Sequence, residues 1–183
     1  EYRKGIRKSL PNDWYTWFPH PQNGTVDHKG SIYYIDFPQL RFIVIDTNPL
    51  NRIVHLTRTL TWIQEAINTT GDRHIIVMMH HPVLSAAKGR FNPLIYAFLR
   101  HPLGKTDLVI SGHDHSYMRH MPFVVLNSAG KPKTPNQHKH LTIEEQAIVP
   151  VYSILSFPTH QTPILRTYRI SDGYMIDSCY VHH

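Results

Sequence analysis

Cysteine occurs once in the 183 residues, at Cys179, which excludes an internal disulfide and leaves the redox compartment unread. In "YMIDSCYV" it reads as a small apolar side chain of a strand. No apolar run approaches the ~18 residues that a membrane helix requires, so a transmembrane span is excluded. The opening stretch "EYRKGIRKSLPNDW" is charged where a secretory leader is apolar. The chain begins with Glu rather than Met, so that absence carries no weight: localisation stays open, secretion or a periplasmic setting included, and the sequence reads as a piece of something longer. Two N-x-[ST] sequons, at Asn23 and Asn68, are what chance supplies at this length. Acidic residues are also scarce, 13 against 19 Lys and Arg, for a net charge of +6. That excess suits anionic ligands such as phosphate esters, and it equally suits solubility. The basic concentrations at Arg3–Lys8 and Lys131–Lys139 lack the interleaved aromatics of a nucleic-acid platform.

What the chain has in quantity is histidine, 15 residues, within a composition that is 41% hydrophobic and 11% aromatic. Such a composition folds, and the length suits a single domain with a real core. Residues 1–30 read as polar loop with aromatic anchors, broken by prolines and an Asn-Gly turn signal. "SIYYIDF" (31–37) and "LRFIVIDT" (40–47) read as strands joined by a short turn, the second buried on both faces. Leu56, Leu60, Ile63 and Ile67 recur at helical spacing and Gly71 follows as a stop. "HIIVMMH" (74–80) is a buried strand, 92–100 a short helix capped by Asn92 with Pro93 in its first turn, and 107–112 and 123–128 are strands. Residues 129–148 read as a long surface excursion, followed by strands at 149–157, 164–170 and 174–181, the last two a hairpin around Ser171-Asp172-Gly173. Helices alternating with buried strands, then strands alone, indicate an α/β layer protein with an added antiparallel portion.

Two histidine groups stand where strands give out into loops: "MMHHP", with His80 and His81, and "SGHDH", with His113 and His115. Ligand sites in α/β sheets form at these carboxyl ends. On a strand His113 and His115 would share a face, whereas in a loop they diverge and can serve two different ions. Imidazole suits zinc, iron and manganese. Ser111-Gly112 ahead of them suggests a sharp turn at the glycine. The ~30 residues between the groups can form the helical return between neighbouring parallel strands.

"SGHDHSYMR" resembles the G-H-x-H block of the calcineurin-like metallophosphoesterases, the superfamily that includes the purple acid phosphatases. "VMMHHP" resembles the strand-ending histidine block upstream of it, "GSIYYIDFPQLRFIVIDTN" a strand pair ahead of that, and "EYRKG" the residues after the family's G-N-H. The resemblance runs over residues 1–120 and makes the whole chain, 1–183, a partial phosphoesterase domain with a strand-rich end at 149–183. It implies a four-layer α/β/β/α sandwich, here only its C-terminal part. It also implies hydrolysis of phosphate mono- or diesters at a dinuclear site of two divalent or trivalent transition metals (Fe, Zn or Mn) with a metal-activated water. His80 and His113 are implied on one ion and His115 on the other. His81 is left as a candidate catalytic or substrate-facing residue, as a support behind the ligands, or with no role, and Tyr117 and Arg119 either line the phosphate site or are a packing tyrosine and a surface arginine. Asp114 reads as a solvated loop carboxylate, and Asp46 in "VIDT" resembles a family residue that is not a ligand.

The family's D-x-H, G-D-x-x-D and G-N-H blocks have no counterpart in the right order. Asp72 in "GDRH" follows a glycine, but no aspartate stands three residues later and a helix precedes it. Three imidazoles without a carboxylate hold one zinc at best and do not fix a pair. The expectation is therefore a chain inactive by itself and dependent on a missing N-terminal half. The alternatives are a basic, histidine-rich module for polyanions or nucleic acid, and a remnant of the fold without catalysis.

Overall fold

The computed structural model describes residues 12–51, 53–127, 133–135, 145–158 and 161–182. The basic concentration at Arg3–Lys8, and most of that at Lys131–Lys139, lie outside the described residues, as does the "EYRKG" stretch.

A seven-stranded sheet forms the centre, built from β1 (Tyr33–Asp36), β2 (Leu40–Ile45), β3 (His74–Met79), β4 (Leu108–Ser111), β5 (Tyr117–His120), β6 (Phe123–Val125) and β7 (Glu145–Ala147). Its order is β1-β2-β3-β4-β6-β5-β7. The four strands β2, β3, β4 and β6 run parallel, and β1, β5 and β7 are antiparallel to their neighbours. Helix α2 (Ile53–Asn68) connects β2 to β3 and helix α3 (Pro93–Leu103) connects β3 to β4. A short helix, α1 (Asn12–Trp17), interrupts what the sequence suggested was loop.

The helix boundaries follow local chemistry. Gly71, just past α2, takes φ +69°, a left-handed value at which a side chain is strained. Asn92 caps α3, its Oδ1 accepting the Leu94 and Ile95 amides at 3.1 and 3.2 Å, with Pro93 in the first turn. Leu56, Ile63 and Ala66 of α2 and Ile95, Leu99 and Leu103 of α3 bury against Ile43, Ile45, Ile75, Val77, Met79 and Val109. Burial of such side chains contributes roughly 1.5–3 kcal/mol each.

The opposite face of the large sheet meets a second, antiparallel sheet of β8 (Val151–Ser156), β9 (Ile164–Arg169) and β10 (Met175–Tyr180), in the order β10-β9-β8. Ile76, Leu108, Tyr117 and Val124 pack there on Val151, Leu165 and Val181, with Cys179 half-buried among them. Helices, large sheet and small sheet thus stack as successive layers of the expected sandwich. Coverage is uneven. β2 is fully buried only on its helix side, since Leu40, Phe42 and Val44 are half-exposed rather than enclosed. Met78, on the small-sheet side of β3, is 43% exposed, and Tyr152, Ile154 and Tyr180 stand out from the far side of the small sheet.

Candidate metal centre

Strands β3 and β4 are neighbours, and their ends are tied by the Gly112 amide donating to the His80 carbonyl at 3.1 Å. This joins the two histidine groups. One nitrogen from each of His80, His81 and His113 lies within 4.8 Å of the others. His113 Nδ1 is 3.2 Å from His80 Nε2, and the His81 and His113 rings are 4.4 Å apart. Among the described residues no Asp or Glu joins the three. His115 also stays outside this group. His81, which the sequence reading kept apart from the ligands as a candidate catalytic or substrate-facing residue, is inside it.

Thr47, two residues beyond β2, places His81. Its Oγ1 accepts the His81 amide at 3.1 Å and lies 2.7 Å from Nδ1. With the proton on Nδ1 and donated to that hydroxyl, Nε2 keeps a lone pair for a metal, the usual arrangement behind a histidine ligand. His113 is held neutral: burial first, then the positive field of His81, Arg90 and the other histidines, push its pKa down to about 4. A neutral imidazole is what a metal requires. Three such nitrogens suit one ion of the zinc class and do not suit a bridged pair.

The loop after β4 is bent at the histidines themselves. His113 and His115 take φ values of +70° and +55°, left-handed conformations that cost about 1–2 kcal/mol each for a non-glycine residue. Gly112, expected to make the turn, has no positive φ, and a Cβ added there would meet nothing within 4 Å. What holds the bend is Asp114. It is not a solvated carboxylate but fully buried, and its Oδ2 accepts the Ser85 hydroxyl at 2.8 Å and the Ala86 amide at 2.5 Å. Burial pushes its pKa up, against those hydrogen bonds.

Arg90, in the segment between β3 and α3, reaches the same place. Its Nη1 donates to the His113 carbonyl at 3.1 Å and lies 3.0 Å from His113 Nε2. Tyr117 and Arg119 point elsewhere. Tyr117 is wholly buried with its hydroxyl on Asp177 at 2.5 Å, and Arg119 grips the same carboxylate at 2.6 and 3.0 Å. Both fasten β5 to β10 through that carboxylate. Asp46 turns back on Asn48, accepting its amide at 3.0 Å. The letters D-x-H do occur at Asp72–His74, but His74 opens β3, at the end opposite His80. Arg90 and Lys88 were visible in the loop as its basic residues. Nothing local marked Thr47 as the partner of a histidine 34 residues away.

Beside the histidines a cleft of about 390 Å³ opens, floored by Val44, Met78 and Ile110 and bounded by His80 and Gly112. The apolar face that the small sheet leaves bare therefore runs up to His80.

The fold is shared with solved structures. One is the purple acid phosphatase PPD1 from yellow lupin seeds, with a TM-score of 0.67 at 17% identity over 81% of this chain and 32% of that one. Another is GAP50 of Plasmodium, described as the anchor in the inner membrane complex, with a TM-score of 0.64 at 15% identity over 82% of this chain and 53% of that one. The chain thus spans about a third of the lupin protein and half of the Plasmodium one. No curated protein matches it. Residues 2–117, a stretch that takes in both histidine groups and the strands that carry them, match the calcineurin-like phosphoesterases, and the chain belongs to that family.

Proposed function

We propose that these residues form the C-terminal part of a metal-dependent phosphoesterase that hydrolyses phosphate mono- or diesters. The observation that carries this reading is the group of His80, His81 and His113 at the ends of two parallel strands, three neutral-capable nitrogens with no carboxylate among them. A lone zinc fits there, and a bridged pair needs anionic ligands that the described residues do not bring to the group. The bare apolar face beside His80 is where a neighbouring strand bearing them would pack. In a complete site His80 and His113 would hold one ion and His115, whose loop position diverges, would hold the second, with Fe, Zn or Mn as candidates.

When bound, such ions acidify a water and take up charge on the leaving oxygen. The chain's own residues do the positioning. Thr47 orients His81, Asp114 holds the two left-handed histidines, and Arg90 presents a guanidinium to an ester phosphate, a match of planar donors to anionic oxygens. His81, where it is not spent on an ion, would serve beside His80 and His113 as a proton donor or acceptor.

A second reading is a scaffold of this fold that has lost catalysis. It is favoured by the missing carboxylates and by the likeness to a protein described as an anchor. One comparison separates the two: metal content and hydrolysis of p-nitrophenyl and bis-p-nitrophenyl phosphate, for this chain and for the longer protein that contains it. We expect metal but no efficient turnover from the chain alone, and metal-dependent turnover from the longer protein. A fully loaded longer protein that leaves both esters intact would establish the scaffold. Turnover at ordinary enzyme rates by the chain alone would overturn its dependence on outside ligands.

A further inference from the structure

A second gathering of imidazoles lies between the turn ahead of β1 and the start of α2, with Asp46 at the end of β2 in its field. His28 closes the short 3-10 turn Val26–His28 and is 7% exposed, and His55 lies in the first turn of α2. His28 Nε2 is 3.2 Å from His55 Nδ1, with the rings edge-on at 63°. Asp27 Oδ2 stands 3.9 Å from the same His55 nitrogen and is paired with Arg58. Asp46 adds its negative field at His28.

Two imidazole nitrogens this close either share one proton or share an ion. The spacing is that of the first centre, where His80 and His113 nitrogens are also 3.2 Å apart. It is close to the ~3.3 Å edge of a tetrahedron built on zinc–nitrogen bonds of ~2.0–2.1 Å. Asp27 is the looser member, since its oxygen and the two nitrogens do not all fall within 4.8 Å of one another. Its side chain is 31% exposed, so a rotation inward is open to it. Arg58 opposes a cation, but its side chain is 62% exposed and can move to the outer carboxylate oxygen.

We propose that His28, His55 and Asp27 form a second metal site, taking a divalent transition ion of the zinc class with water completing the shell. Burial, and then the neighbouring His55, lower the pKa of His28, so its ring is neutral and able to ligate at ordinary pH. The ion would staple the turn to α2. The His28 carbonyl already accepts the Ser31 and Ile32 amides at 3.1 and 3.0 Å, and Trp62 of α2 donates to the Asn23 carbonyl at 2.8 Å. The staple therefore fixes the entry to β1 against the helix. This inference stands apart from the phosphoesterase reading, because it uses none of the same ligands.

The test titrates Co²⁺ and Zn²⁺ into the full chain with His80, His81 and His113 replaced by alanine, checking the fold by circular dichroism. We expect one equivalent bound, with visible cobalt bands, and loss of both on adding His55→Gln. Asp27→Asn should weaken binding by at least about tenfold, the cost of losing even an outer partner of a metal site. A folded triple variant that binds no metal overturns the site. Should the triple variant not fold, zinc per chain is measured in the otherwise native protein. There His55→Gln should remove one equivalent, and an unchanged content overturns the proposal.

Discussion

Asp114 and Ala86 are joined through the Asp114 Oδ2, which accepts the Ala86 amide at 2.5 Å in a fully buried setting. The bond connects the loop of the left-handed histidines to the segment that follows His80 and His81, so both histidine groups share one clamp. Asp114→Ala leaves the Ser85 hydroxyl and the Ala86 amide without this partner. It is expected to cost about 2–4 kcal/mol and to weaken metal binding at least tenfold, while Asp114→Asn keeps one acceptor and costs less. Urea unfolding and a zinc titration on the same variants check this. Native stability in Asp114→Ala would mean that the bend holds without the clamp.

Gly112→Ala should be nearly silent, within about 0.5 kcal/mol, because the backbone there is ordinary and the added methyl meets nothing. Gly71→Ala, at φ +69°, should cost about 1 kcal/mol. Thermal midpoints of the two variants settle the contrast. A large loss at Gly112 would show that the glycine, rather than His113 and His115, makes the turn.

The order of helices and parallel strands was legible because its signals are local: apolar spacing in α2, the Asn92 cap with Pro93, and Gly71 as a stop. β5 was not, since Tyr117–His120 follows the histidine loop without a turn residue and owes its strand to pairing with β6 and β7. The same division holds at the site. His80 and His113 could be named because each ends an apolar run. Asp114 was misread because its polar neighbours in sequence say nothing of Ser85 and Ala86, nearly 30 residues away. The partner of Tyr117 and Arg119 was hidden for the same reason, Asp177 being about 60 residues on.

Asp177 gives the fold an acid-sensitive joint. Burial pushes its pKa up, but the hydrogen bonds from Arg119 and Tyr117 outweigh that and leave it below the usual carboxylate value. A carboxyl whose pKa is lowered on folding stabilises the protein above its unfolded value, about 3.9, and loses that contribution as pH falls through the folded value. Stability should therefore fall below about pH 4, and Asp177→Asn should flatten that part of the curve. Arg119→Met, which strands a buried carboxylate, should cost about 3 kcal/mol at neutral pH. Urea midpoints between about pH 3 and pH 7 provide the comparison. An Asp177→Asn curve as steep as the native one would place the acid-sensitive group elsewhere.

Arg90 should matter to the phosphate and not to the metal. Its Nη1 donates to the His113 carbonyl, so the guanidinium stays beside the histidine group, within the field of the buried Asp114 carboxylate. Hydrogen bonds to a charged partner contribute about 1.5–3 kcal/mol each, so removing this one weakens phosphate binding roughly 10- to 100-fold. In the longer protein, Arg90→Ala is expected to raise KM for a phosphomonoester, and Ki for inorganic phosphate, by that factor with bound metal unchanged. Arg90→Lys should recover part of the loss, because a point charge replaces a planar fork. A structural arginine would behave differently: its removal would release metal by disturbing His113, and Ki for phosphate would change only as the metal content did.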